Sequence, residues 1–195
     1  MALVTYSEYV EQYLGKSIDK VDASLEQSRI EALIDAVSAH IESYCDRKFQ
    51  AASGLSEVFD GDGTEEYWTA NWPITDTPTI SYWDGTQWIE ATSSLYPRAM
   101  DADIGRIYFT QGDTFFKGKN NWRVVYSYGY AVASVPADLK QATYELVHRL
   151  YLRAQGKQGI ASETHGDVNV SYSLGKMPDN VKQLLDRKYK RVCLG

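Results

Sequence analysis

Cysteine is scarce in this sequence: Cys45 and Cys193 are the only two among its 195 residues. Neither belongs to a CxxC pair, so the sequence shows neither a disulfide framework nor the ligand spacing of a zinc site. Because free cysteines persist in a reducing compartment, the sequence favours synthesis in a cytoplasm.

Long apolar runs and a positive net charge are also missing. No stretch approaches the roughly 20 apolar residues that span a bilayer, and the first residues lack the basic-then-apolar order of a signal peptide. We therefore expect no membrane contact. The formal net charge is −6, so the chain repels polyanions on average and is not expected to wrap nucleic acid.

Catalytic motifs are absent as well. The sequence has no GxSxG elbow, no P-loop, no HExxH and no GxGxxG leading into a helix. His40 is interpreted as a solvated helical residue and His148 as a partly buried packing residue. His165 and Asp167 lie in a glycine-bearing loop without a third group for metal or acid–base chemistry. We expect no catalytic residue, no metal ligand and no cofactor, and hence not an enzyme.

One acidic turn invites a calcium interpretation. Asp60, Asp62, Glu65 and Glu66 surround two glycines, and calcium prefers oxygen-rich turns. The twelve-position calcium-loop pattern is missing, however. A solvated hairpin turn is the favoured interpretation.

Helical periodicity marks both ends of the chain. The first helix is predicted over residues 6–14, with a capping box of Thr5 and Glu8. Ser24 and Gln27 predict a second capping box, at the start of a long helix that ends near residues 46–48. Its apolar stripe consists of Leu25, Ile30, Leu33, Ile34, Val37, Ile41, Tyr44 and Cys45.

A third helix is predicted after Pro136, with a stripe of Leu139, Ala142, Leu146, Val147, Leu150 and Tyr151. We expect the second and third helices to pack together, with Leu33, Ile34, Val37 and Ile41 against Leu146, Val147 and Leu150.

Between these helices the pattern changes to that of β-strands. Asp84-Gly85 is a hairpin signal, residues 104–109 indicate a strand, and Trp122, Val124, Tyr126 and Tyr128 alternate with less apolar residues. The sequence thus predicts an α+β fold that is mainly α with a β-rich insertion. It consists of a small antiparallel helix bundle, residues 1–49 and 131–195, carrying an antiparallel β-subdomain, residues 50–130, between helices 2 and 3.

The last part of the chain contains a polar loop, a short strand and a final helix. Residues 155–167 are polar and contain three glycines, which predicts a loop that is mobile in the free subunit and ordered on assembly. Val168, Val170 and Tyr172 alternate as a strand. Pro178 opens a helix whose apolar residues are Val181, Leu184, Leu185 and Val192. This stripe is expected to pack either on the subunit's own core or on a neighbour.

The final helix is also the most basic segment. Residues 182–195 carry a net charge of +4, from five basic residues and Asp186, in a chain whose total is −6. The basic side chains of such a helix are either simply exposed to solvent, in contact with DNA, or the binding site of an acidic partner. The candidate partner-binding residues are Lys182, Arg187, Lys190 and Arg191.

All five tryptophans lie in the β-rich insertion, between Trp68 and Trp122. Trp83, Trp88 and Trp122 are expected to fill the core of a small β-domain. The alternative is a carbohydrate-binding or host-recognition module that stacks sugar rings on exposed Trp and Tyr side chains.

Four short strings occur in a fixed order along the chain. They are IESYCDRKF at residues 41–49, GRIYF at 105–109, VVYSYGY at 124–130 with VPADLKQA at 135–142, and VSYSLG at 170–175 before Pro178. With these strings the sequence resembles the head–tail connector (adaptor, or head-completion) family of tailed bacteriophages. The resemblance covers nearly the whole chain. The insertion is longer and richer in tryptophan than the family's β-segment.

The resemblance implies a structural virion protein at the head–tail junction, made in the host cytoplasm. It implies a homo-oligomeric ring of about twelve subunits beneath the portal protein. The ring completes the head after DNA packaging and provides the docking platform for the tail. The implied partners are the portal and a downstream stopper or tail protein. DNA passes through the lumen without sequence-specific binding, with which an acidic chain is compatible.

Overall fold

The computed structural model describes residues 2–14, 23–94, 96, 98–154, 162–165, 168–171 and 177–191. The chain divides into two compact units. The helical unit comprises Met1–Asp46 with Val132–Gly195, and the β unit comprises Arg47–Ala131. The predicted α+β class is confirmed. No helix in the described ranges is both long and apolar enough to cross a membrane.

The described residues of the helical unit form four α-helices: α1 (Tyr6–Tyr9), α2 (Ala23–Cys45), α3 (Ala137–Ala154) and α4 (Asp179–Lys188). The capping box of Thr5 and Glu8 forms at the start of α1, which continues as a π-helical turn, Val10–Leu14. The second predicted capping box is wrong. Ser24 lies inside α2, and the Gln27 amide donates to Glu31 at 2.8 Å.

The core of the helical unit lies between α2 and α3, which pack against each other. Buried apolar side chains contributed by the two helices include Ile30, Ile34, Val37, Ile41, Leu139, Leu146 and Val147. Leu33 and Leu150 are half-buried. Leu25 departs from the predicted stripe, with 61% of its surface exposed. It lies five residues before Ile30, whereas residues on one helix face are three or four apart.

The residues of the β unit that the structure describes form two antiparallel sheets. Its strands are β1 (Ala52–Gly61), β2 (Glu66–Trp68), β3 (Thr79–Trp83), β4 (Trp88–Glu90), β5 (Arg98–Asp101), β6 (Arg106–Phe109) and β7 (Gly118–Tyr128). The four-stranded sheet has the order β1-β7-β3-β4, and the three-stranded sheet has the order β2-β6-β5. The predicted alternation along β7 is confirmed: Trp122, Val124, Tyr126 and Tyr128 are buried, whereas Arg123, Val125 and Ser127 are half-buried.

The core of the β unit lies between these two sheets. Both sheets contribute buried residues to one cluster, among them Ile80, Ile107, Phe109, Trp122, Val124 and Tyr126. At its edge the carboxylate of Glu57 in β1 accepts hydrogen bonds from the hydroxyls of Tyr67 and Tyr126. Glu57 therefore connects the four-stranded sheet to β2 of the other sheet. Burial, followed by this carboxylate, raises the pKa of Tyr126.

The two predicted turns have different outcomes. The Asp84-Gly85 hairpin is confirmed: it joins β3 to β4, and the Asp84 carboxylate accepts from the backbone N–H of Thr86 at 2.7 Å. The acidic turn is not a hairpin, because β1 and β2, which it connects, belong to different sheets. Gly61 is required there, since an added Cβ would lie 2.0 Å from the carbonyl oxygen of Phe116.

Most of the polar segment 155–167 lies outside the described residues. Within it, Ser162–His165 form a strand, β8, that pairs antiparallel with β9, Val168–Ser171. The strand predicted at Val168 and Val170 is therefore present, while Tyr172 lies outside the described residues. The polar sequence of the segment gave no indication of the partner strand β8.

Candidate partner-binding surfaces

Helix α4 is packed on the helical unit itself. Val181 and Leu185 are buried, as is Tyr189, which follows the last turn. Leu184 is half-buried, and Val192 lies outside the described residues. Of the two arrangements that the sequence leaves open for the apolar stripe, the structure shows packing on the subunit's own core.

Polar contacts attach α4 at two further points. The Tyr44 hydroxyl donates to the Asp186 carboxylate at 2.6 Å, and this bond, followed by burial, raises the pKa of Tyr44 to about 12. Asp138, in the first turn of α3, accepts hydrogen bonds from Lys188 and from the Tyr189 hydroxyl. These contacts hold the helix in one orientation relative to α2 and α3.

The Asp138 contact makes the stability of the helical unit depend on pH. Burial on its own raises the pKa of Asp138, but the bonds from Lys188 and Tyr189 outweigh it, so the pKa lies below its ordinary value. A carboxylate with a lowered pKa stabilises the fold above its unfolded-state pKa. That stability is lost as the pH falls through the folded-state pKa.

We expect Asp138→Asn to lower the free energy of unfolding by about 1–2 kcal/mol at neutral pH, because the Lys188 and Tyr189 donors lose a charged acceptor. The difference from the parent protein should shrink at a second, acidic pH below the folded-state pKa of Asp138, because both proteins then carry a neutral side chain at this position. Urea unfolding of both proteins at the two pH values measures this difference in the free energy of unfolding. A difference that stays constant with pH would show that the Asp138 charge contributes nothing.

The four candidate basic residues do not form one patch. Lys182, Arg187 and Lys190 are exposed, whereas Arg191 is half-buried. Lys182 and Arg187 are five residues apart in the helix, which separates them by about 140° around its axis. Lys190 lies beyond the end of α4, with its ammonium 4.5 Å from the centre of the Tyr44 ring. By its position in the helix, Arg187 lies farther than Lys182 from the buried residues Val181 and Leu185.

Lys182 and Arg187 are the cations of α4 that remain available to a partner. Within the described ranges, neither side chain takes part in a salt bridge or a hydrogen bond. By contrast, Lys188 is bound to Asp138.

The tryptophans occupy two environments in the β unit. Trp122 is fully buried, with its ring 5.1 Å from that of Phe115. The expectation of a core position is wrong for Trp83, which is 40% exposed, and Trp88 is only half-buried. The reason is strand geometry: Tyr82 pairs with Trp122 and faces the core, so Trp83, the next residue, faces outward with its partner Trp88.

A second outward cluster lies on the three-stranded sheet. The Arg106 guanidinium lies 4.5 Å from the Tyr108 ring and 5.9 Å from the exposed Trp68 ring. It pairs with Asp101 at 3.1 Å and Glu66 at 3.5 Å. Its charge is therefore satisfied within the subunit.

A family model described as head completion protein matches residues 2–192 of the chain. This chain belongs to the head completion protein family. The resemblance of the sequence to head-completion proteins is confirmed, and the role of the chain is that of a structural component of a phage-like virion.

Solved structures include chains with the same fold as this head completion protein. A chain from the "neck of empty GTA particle computed with C6 symmetry" aligns with a TM-score of 0.65 at 16% identity, covering 99% of this chain and 93% of that one. A chain from the "neck of native GTA particle computed with C12 symmetry" has a TM-score of 0.55 at 16% identity, with 92% and 96% covered. No curated protein matches the sequence.

The structure gives a position to each histidine and to the acidic turn of this head completion protein. His40 is exposed, and the Nδ1 atom of half-buried His148 lies 3.2 Å from the Tyr9 hydroxyl. His165 lies in β8, and Asp167 lies outside the described residues. Asp62 accepts from the backbone N–H of Thr64 at 2.8 Å. No group of three or more potential metal ligands occurs in the described part of the chain.

Sequence reasoning missed the role of Arg47. The sequence predicted only that the long helix ends near residues 46–48. The Arg47 side chain is in fact buried, with its guanidinium 3.7 Å from the Trp72 ring and 4.5 Å from the Phe49 ring, and it donates to the Trp72 carbonyl. The Arg-x-aromatic string at residues 47–49 was the available signal, because arginine favours aromatic faces.

Proposed function

We propose that this chain is a head–tail connector subunit that forms a homo-oligomeric ring beneath the portal. In this role it completes the head after DNA packaging and provides the platform on which the tail docks. The observation that carries the proposal is the family match over residues 2–192. The neck structures with the same fold were computed with C6 and C12 symmetry, which supports a ring of about twelve copies here.

The proposed partners follow from this position in the virion. One face of the ring meets the portal protein, and the other meets a downstream stopper or tail protein. DNA passes through the lumen without sequence-specific binding. The net charge of −6 supports a channel that does not hold phosphate, because basic walls would bind it. The proposed role requires no catalysis, no metal and no cofactor.

Helix α4 is the proposed contact with the portal. It presents Lys182 and Arg187 to solvent, with Lys190 and Arg191 beyond its last turn. Because the apolar stripe is buried in the subunit, the contact would use the polar side of a fixed helix. Electrostatic pairing of this kind sets orientation and association rate more than final affinity.

Reversing the charges at Lys182 and Arg187, with Lys182→Glu and Arg187→Glu together, should slow docking onto purified portal by about tenfold at low salt. The association rate should also become less sensitive to salt, because the steering charge is lost. Surface plasmon resonance across a salt series measures both effects. Both side chains are exposed, so the fold should remain intact.

The matched control is Lys117→Glu with Lys119→Glu, which changes the net charge equally at two exposed positions in the β unit. This control should dock at nearly the parental rate. If the α4 variant docks like the control at every salt concentration, the basic side chains of α4 are merely solvated and the portal contact lies elsewhere.

Carbohydrate binding by the β unit is the second candidate function. One observation favours it: Trp83 and Trp68 are both exposed on sheet surfaces, where an indole ring could stack on a sugar. A glycan-array screen of the purified chain discriminates between the two candidates. The connector role predicts no binding that depends on Trp83 or Trp68.

A further inference from the structure

The outward face of the four-stranded sheet carries an aromatic and apolar surface. Trp83 and Trp88 form a cross-strand pair with ring centres 5.4 Å apart. The Arg123 guanidinium lies 4.7 Å from the Trp88 ring. Val58, which pairs with Arg123 across β1 and β7, is 48% exposed. Trp and Arg are the residues that most often dominate the energetics of protein interfaces.

Arg123 lacks an anionic partner on this face. Its Nε atom is buried without a hydrogen-bond acceptor, and no described carboxylate lies within ion-pair distance of its guanidinium. Glu90 is on the same face, but its electrostatic partner is Arg98. Because the half-buried guanidinium has no ion-pair partner among the described residues, its terminal nitrogens are available to a carboxylate supplied from outside.

A complementary surface exists on the other sheet of the same unit. The short 3-10 turn Ala102–Ile104 connects β5 to β6 and presents two neighbouring exposed side chains. Ile104 is 45% exposed. Asp103 makes no ion pair or side-chain hydrogen bond among the described residues. The turn therefore offers an apolar group beside a free carboxylate, whereas the aromatic face offers apolar rings beside a free guanidinium.

We infer that neighbouring copies of this chain contact each other through these two surfaces. The Asp103 carboxylate of one copy pairs with the Arg123 guanidinium of the next, and Ile104 packs against Trp83. This inference rests on the ring proposed above and identifies one interface within it. Since the two surfaces differ, the contact is heterologous, and a repeated heterologous contact closes a ring when the rotation per subunit allows it.

A second copy fits this face better than DNA does. Phosphate-binding surfaces present several cations along the backbone path, but Arg123 shares this face with the carboxylates of Glu90 and Asp60. One unpaired cation among apolar side chains matches one unpaired carboxylate beside an apolar side chain. Full desolvation of such a pair gives strong coupling between the two charges.

A charge-swap cycle tests the interface in the full-length chain. Arg123→Glu and Asp103→Arg are made separately and together, and assembly in the presence of purified portal is followed by native mass spectrometry and sedimentation velocity. Each single variant should raise the concentration needed for assembly by about tenfold or more, and the double variant should recover most of the loss. Lys119→Glu, an exposed change of equal charge in the same unit, should assemble like the parent.

A crosslinking measurement covers the case in which Arg123→Glu fails to fold. Ile104→Cys and Trp83→Cys in one chain, with Cys193→Ser, should give a ladder of crosslinked copies on oxidation of the assembly. Either engineered cysteine alone should not. Thermal unfolding of each variant confirms that it is folded.

The outcomes separate this inference from the proposed ring. If the parent assembles, the double swap recovers nothing and the cysteine pair gives no ladder, the interface is wrong while the ring stands. If the parent never assembles with portal, both are overturned. Glycan binding that is lost in Trp83→Ala, with assembly unchanged, would assign this face to sugar instead.

Discussion

The helical unit carrying Ile34→Asp is expected to be largely unfolded at 25 °C. Ile34 is buried on α2, in the core between α2 and α3. A carboxylate there would be desolvated without a partner, which costs several kcal/mol and approaches the roughly 5–15 kcal/mol that stabilises a typical domain. Circular dichroism measures the loss of helix, and urea unfolding measures the loss of unfolding free energy.

Leu25 on the same helix provides the matched control. It is 61% exposed, so Leu25→Asp should change the free energy of unfolding by no more than about 0.5 kcal/mol. If Ile34→Asp unfolds at the same urea concentration as Leu25→Asp, then α2 and α3 do not form the core of the helical unit.

Replacing Trp122 with Ala should destabilise the β unit by about 3–5 kcal/mol. The side chain is fully buried between the two sheets, and its ring lies 4.8 Å from that of Phe116 and 5.1 Å from that of Phe115. Its Nε1–H also donates to the Phe116 carbonyl at 3.2 Å. The variant loses this burial and leaves a cavity. Tryptophan fluorescence during denaturant unfolding follows the change.

Trp83→Ala is the corresponding control in the same sheet. Because Trp83 is exposed and packs mainly on Trp88, we expect Trp83→Ala to lower the free energy of unfolding by about 1 kcal/mol or less. Equal losses for Trp83→Ala and Trp122→Ala would contradict the assignment of the two tryptophans to opposite faces.

Periodicity in the sequence was sufficient for the main elements. The stripe containing Ile34, Val37 and Ile41 predicts the buried face of α2, and the alternation from Trp122 to Tyr128 predicts the buried face of β7. Both are local signals, in which spacing along the chain determines which side chains share a face. The hairpin at Asp84-Gly85 is local as well.

The position of Trp83 could have been predicted but was not. Tyr82 and Trp83 are consecutive in a strand, so only one of them can face the core. The alternation of Ile80 with Tyr82 favours Tyr82, which pairs with Trp122 across β3 and β7 in the structure.

Other features depend on residues far apart in sequence and had no local signature. Arg47 is buried because Trp72, 25 positions away, supplies a ring face and a carbonyl acceptor. Likewise, Asp138 meets Lys188 and Tyr189 only because α3 and α4 are brought together in the fold. The net charge of residues 182–195, taken as a sum, did not show that Lys182 and Arg187 point in different directions, although their spacing of five residues in a helix implies it.

The mass of the purified chain, measured alone and with purified portal from the same phage, tests the central claim most directly. We expect portal to recruit the chain into a discrete complex containing about twelve copies. Native mass spectrometry resolves that number. A chain that remains unassociated with portal at concentrations far above those in the infected cell would contradict the account.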